Sequence, residues 1–113
     1  MKLKAPININ DETLVQCFRA LKKQWREENW FSSAPPDNDP SYKAIIGLGW
    51  PVVPFILWDL ENDPEWWFGA LKSITGADPY SKYEYQPGNL PSLTKLWLKW
   101  AEEEGVKSKP YEN

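Results

Sequence analysis

Four sets of residues have the types and spacing to carry chemistry. Asp59, Glu61, Asp63 and Glu65 fall within seven residues of one another. Paired carboxylates can hold a divalent cation or serve acid–base catalysis. Here, however, Asp59 and Asp63 are four apart at a helix end, and Asp63 stands directly before Pro64 as a helix cap. The expectation is a set of solvated helix-end charges. A carboxylate-dependent metal enzyme using Asp59 and Asp63 is the weakest of three functional readings.

Lys22, Lys23 and Arg26 interleave with Trp25 and Trp30. Bases beside aromatics can bind single-stranded nucleic acid, with cations meeting phosphates and rings stacking on bases. Glu27 and Glu28 offset the charge, and Trp25 falls on an apolar stripe, so a core stripe beside a solvated face competes with that reading. GLG at 47–49 lacks the third glycine of a dinucleotide fingerprint, since position 52 is Val, and lacks the Lys-Ser or Lys-Thr of a P-loop. It reads as a turn. Cys17 is the single cysteine and there is no histidine. This leaves no intrachain disulfide, no imidazole triad and no set of soft ligands for zinc. Cys17 is expected to be a small buried hydrophobe. Neither a cofactor nor a catalytic residue is assigned, and the chain is read as a non-enzyme.

The chain has 113 residues, with 26% charged and 42% hydrophobic, as expected of one folded domain. Sixteen acids against thirteen bases give a net charge of -3, which weighs against a duplex DNA binder. The first residues carry lysines without an apolar run behind them, so no signal peptide is expected. No run approaches the length of a membrane span. A cytoplasmic protein with no membrane contact is the default.

The elements follow from punctuation and periodicity. Residues 1–10 read as an arm. Leu14, Phe18, Leu21 and Trp25 form one stripe of a helix over 11–29. Residues 31–39 read as a loop. Asp39-Pro40 starts a short helix that ends at Gly47 or Gly49. A further helix begins near Val52 or Val53, with Pro54 in its first turn. Its run VVPFILWDL is apolar on nearly all sides. A buried strand competes there, but Pro54 would strip a donor from a central strand. Asp63-Pro64 starts the next helix, with Trp67, Leu71 and Ile74 on one side and Gly76 closing it. Residues 77–89 form a loop anchored by Tyr80, Tyr83 and Tyr85. The last helix starts at Asn89 or Leu90, carries Leu93, Leu96, Trp97 and Trp100 inward, and stops at Gly105. Leu98 lies off that stripe. Residues 105–113 read as a flexible tail after a single helical domain, 11–104.

The fold class is therefore all-α, about five helices. Gly47, Gly49, Val53 and Pro54 resemble the glycine turn and Val-Pro start inside short HEAT repeats, which implies antiparallel helix pairs over 39–104. The residues Gly47 through Leu57, Leu60, Asp63, Pro64, Trp67, Phe68, Ala70, Leu71, Ile74, Thr75, Gly76 and Pro79 also resemble a group of small, mostly uncharacterised bacterial and phage-type proteins. That resemblance implies an accessory or antitoxin-like role and carries no catalytic residue.

Trp66, Trp67 and Phe68 are consecutive. On a helix they project about 100° apart, so all three cannot face one core. Trp66 either packs on the first helix or the tyrosine loop, or is an exposed anchor. The leading expectation is a small protein-interaction or regulatory module, inhibitory in one version. Trp66, Phe68, Trp58 and Leu98 are its interface candidates, and self-association is compatible with it. Nucleic-acid binding through Lys22, Lys23 and Arg26 is the alternative.

Overall fold

A computed structural model of the chain describes residues 11–29 and 39–111. The expected arm at 1–10, most of the expected loop at 31–39, and Trp30 lie outside the described residues. Five α-helices follow: α1 (Asp11–Asn29), α2 (Pro40–Leu48), α3 (Val53–Asn62), α4 (Phe68–Thr75) and α5 (Leu90–Glu104). Short 3-10 turns, Trp50–Val52 and Pro79–Ser81, precede α3 and sit in the tyrosine loop. No strand occurs among the described residues, and VVPFILWDL is helix. The domain is all-α.

Most of the start and stop signals act as their chemistry dictates. The Asp39 carboxylate accepts from Tyr42 N–H at 3.0 Å, with Pro40 at the first helical position. Asn89 does the same for Ser92 N–H at 2.8 Å. Gly49, at φ 78°, makes the turn between α2 and α3, where a side chain would be strained. Around that turn the chain bends by 99°. The axes of α2 and the Trp50–Asn62 segment therefore cross nearly at right angles, unlike the two arms of an antiparallel hairpin. α1 packs on α2, α2 on α4, and α3 on α5.

The core is aromatic. Phe18 stacks on Trp67 at 5.4 Å between centroids, and Trp25 meets Trp67 edge-on at 4.9 Å. Trp67 in turn lies parallel to Tyr42 at 5.9 Å. Of the α1 stripe, Phe18 and Trp25 pack against Trp67, Leu14 is buried as well, and Leu21 is half-buried.

Two elements differ from expectation. The helix expected from Pro64 begins only at Phe68. In a continuous helix Ala70 N–H would donate to Trp66 C=O. Instead the Tyr42 hydroxyl stands between them, accepting from Ala70 N–H at 2.9 Å and donating to Trp66 C=O at 2.8 Å. A side chain from α2 takes the place of the first rung. The 105–113 tail was expected to be flexible, yet residues 106–111 dock on the domain. Val106 N–H bonds Ala101 C=O at 2.9 Å, Lys109 N–H bonds Pro54 C=O at 3.0 Å, and the Tyr111 ring packs into the aromatic core. Among the described residues no single helix is long and apolar enough to cross a membrane.

Candidate functional site

Two features of the structure combine charge or exposure with aromatic packing. The first is internal. Lys22 on α1 is only 4% exposed and Asp59 on α3 only 1%. Lys22 Nζ lies 2.8 Å from Asp59 Oδ2. The Tyr111 hydroxyl donates to Asp59 Oδ1 at 2.5 Å, and Lys22 Nζ donates to the same hydroxyl at 3.3 Å. Ammonium, carboxylate and phenol close a triangle roofed by one ring. That ring is set edge-on against Phe18 at 5.4 Å and Phe55 at 5.7 Å. Burial and the adjacent Asp59 carboxylate push the Tyr111 phenol far above the usual tyrosine range. A buried ion pair needs this kind of completion, because each charge has lost its water.

Three expectations are corrected on α1 and α3, two of them by this arrangement. Asp59 is no solvated helix-end charge. It is the partner of Lys22 and Tyr111. Lys22 does not offer its charge to phosphate from a solvated face, because it points inward. Both assignments have a readable cause. Lys22 follows Phe18 by four residues and precedes Trp25 by three, which places it on the α1 stripe. Asp59 follows Phe55 by four on a helix that is apolar all round. A charge at such a position needs a buried partner. Third, Cys17 is exposed, where a buried site was expected.

The other basic candidates on α1 also face acids. Arg26 Nε lies 3.1 Å from Glu65 and a guanidinium nitrogen lies 3.9 Å from Asp63. Lys23 faces Glu27 at 3.9 Å in an exposed pair. Burial raises the Glu65 carboxyl above its ordinary range, and this outweighs the opposing pull of Arg26. Asp59 and Asp63 are therefore engaged by different cations and are not a shared pair. Among the described residues no group of three or more His, Cys, Asp or Glu side chains is placed to hold a metal ion.

The second feature is on the surface. Trp50 is 49% exposed and Tyr85 36%, the exposed large hydrophobics among the described residues. A run of ring contacts joins them. Trp50 meets Trp100 at 6.4 Å, Trp100 meets Trp97 at 5.4 Å, Trp97 meets Tyr80 at 5.9 Å, and Tyr80 meets Tyr85 at 5.1 Å. The Trp97 indole N–H donates to the Tyr80 hydroxyl at 2.9 Å, fixing the middle of the run. Lysines flank it. Lys72 lies 5.9 Å from the Tyr80 ring, and Lys99 lies 4.8 Å from the neighbouring Tyr83. Trp97 is wholly buried, so the run is anchored in the core and reaches the surface at both ends.

The interface candidates named from sequence sit elsewhere. Phe68 is 5% exposed and is a core residue, so it is no free anchor in this structure. Trp66 is half-buried and meets the Phe68 ring edge-on at 5.6 Å. Trp58 is half-buried. Leu98 is half-buried as well and lines a cleft of about 420 Å³ with Leu57, Glu61 and Val106. Trp50 was missed because Trp50-Pro51 reads as part of a turn, and nothing in its spacing says that the ring points outward.

The chain matches no protein-family model, no curated protein and no solved structure.

Proposed function

We propose that the chain is a small helical docking module that binds a protein partner through the aromatic run ending at Trp50 and Tyr85. A partner-inhibiting, antitoxin-like role is one form this takes. The observation that carries it is the half-exposed Trp50, held on rings that lead into the core. A large ring already fixed in place loses little freedom on binding and covers much area, which is why tryptophan and tyrosine dominate binding hot spots. The flanking lysines favour acidic residues around the partner's apolar anchor.

Nucleic-acid binding is less well supported, since Lys22, Lys23 and Arg26 each already face a carboxylate. The HEAT-like reading keeps one support, the Gly49 turn before Val53-Pro54. The 99° bend speaks against an antiparallel pair there, and docking does not depend on it.

The test is capture from source-cell lysate after nuclease treatment, with wild type beside a Trp50→Ser/Tyr85→Ser variant. One stoichiometric protein held by wild type and lost by the variant is the expected result. Equal capture by both would move the surface elsewhere. Nucleic acid alone in untreated captures would favour the alternative.

A further inference from the structure

We infer that residues 106–111 form a releasable latch over the Lys22–Asp59 pair, opening while the five-helix core stays folded. This stands apart from the docking reading and rests on different residues. From Val106 onward the segment has no regular secondary structure, and Lys107, Lys109 and Pro110 are exposed. Val106 N–H, at its root, bonds Ala101 C=O at 2.9 Å and the side chain packs on the core. Beyond it the segment is held at Lys109, whose Nζ also lies 5.9 Å from the Phe55 ring, and at Tyr111. Lys109 N–H donates to Pro54 C=O at 3.0 Å, and the Tyr111 ring packs against both Phe18 and Phe55 while its hydroxyl reaches Asp59.

What lies beneath makes opening easier than for an apolar socket. Uncovering a purely hydrophobic pocket exposes apolar surface to water and gains nothing. Lifting Tyr111 uncovers an ammonium and a carboxylate, and both regain hydration that burial had withheld. The recovered hydration offsets part of the lost ring packing. Segments of low local stability open sub-globally in this way, well before the core unfolds. The opened face carries a carboxylate, an ammonium and the parts of the Phe18 and Phe55 rings that Tyr111 had covered.

Native-state hydrogen exchange on the full chain tests this. The Lys109 amide is expected to be protected, yet to exchange at least about 100-fold faster than the helix amides of Leu57 and Leu96, each corrected for its intrinsic rate. In Tyr111→Phe the ring packing survives and the hydrogen bond to Asp59 is lost. Lys109 exchange should then rise by about 10- to 100-fold, the size of a hydrogen bond to a charged group, with Leu57 and Leu96 unchanged. Equal protection of Lys109 and the core amides would overturn the latch, since the segment would then open only by global unfolding. So would an unprotected Lys109 amide, since nothing would then be closed. Should Tyr111→Phe fail to fold, wild-type exchange still decides, alongside trypsin cleavage at Lys107. Cleavage with the core intact supports the latch, and cleavage only at the rate of global unfolding overturns it.

Discussion

Removing the Lys22 ammonium while keeping its aliphatic volume should be among the most damaging single changes in this chain. In Lys22→Met the Asp59 carboxylate stays 1% exposed, with the Tyr111 hydroxyl as its remaining partner in the triangle. A buried charge stripped of its counter-ion costs about 3–5 kcal/mol. That is a drop in the folding constant of roughly 10² to a few times 10³, and a large part of the stability of a typical domain. The exposed pair Lys23–Glu27, 3.9 Å apart, provides the contrast. Lys23→Met should shift stability by no more than about 0.5 kcal/mol. Urea unfolding followed by tryptophan fluorescence would measure both. The triple change Lys22→Met/Asp59→Leu/Tyr111→Phe should recover most of the loss. It removes the orphaned charge and its phenol donor together, and apolar replacement of a buried pair is often neutral or stabilising. A loss below about 1 kcal/mol for Lys22→Met, or a triple variant no more stable than the single one, would refute the argument that buried charge compensation governs this site.

Two further outcomes follow from the same geometry. Tyr42→Phe removes the hydroxyl standing between Ala70 N–H and Trp66 C=O, and should cost about 1–3 kcal/mol if both groups stay apart. If the backbone closes and they pair directly, α4 gains a residue or more at its start, and amide exchange at Ala70 reports which has happened. The raised phenol of Tyr111 sets an alkaline limit. The folded form holds this proton more tightly than the unfolded chain does. Its contribution to stability is therefore complete below the ordinary tyrosine value near about 10 and is lost as pH rises from there toward the raised value. The urea midpoint should fall through this range in wild type, and less steeply in Tyr111→Phe.

The sequence by itself determined the helices that end in local chemistry. Asp39-Pro40 and Gly105 act within one turn of the backbone they cap, and the alternatives Gly47 or Gly49 and Asn89 or Leu90 differ by two residues at most, but the equally local Asp63-Pro64 starts no helix. The stripe Leu14–Phe18–Leu21–Trp25 likewise indicated which face of α1 is buried, with Leu21 at its half-buried margin. It also held, unread, the signal that Lys22 shares that face. The tertiary structure decided the rest. The late start of α4 depends on a hydroxyl from Tyr42, 28 residues from the amide it binds. The partner of Asp59 lies on α1, and its phenol cover comes from a segment whose composition reads as solvent-exposed. Trp67 is buried because Phe18 and Trp25 of α1 and Tyr42 of α2 close on it, while Trp50 stays 49% exposed. Local rules fix a helix end only where no distant group competes for the same backbone, as Tyr42 does at the start of α4. They are silent on which of several adjacent large rings finds a neighbour, since the neighbour is supplied by chain far away in sequence.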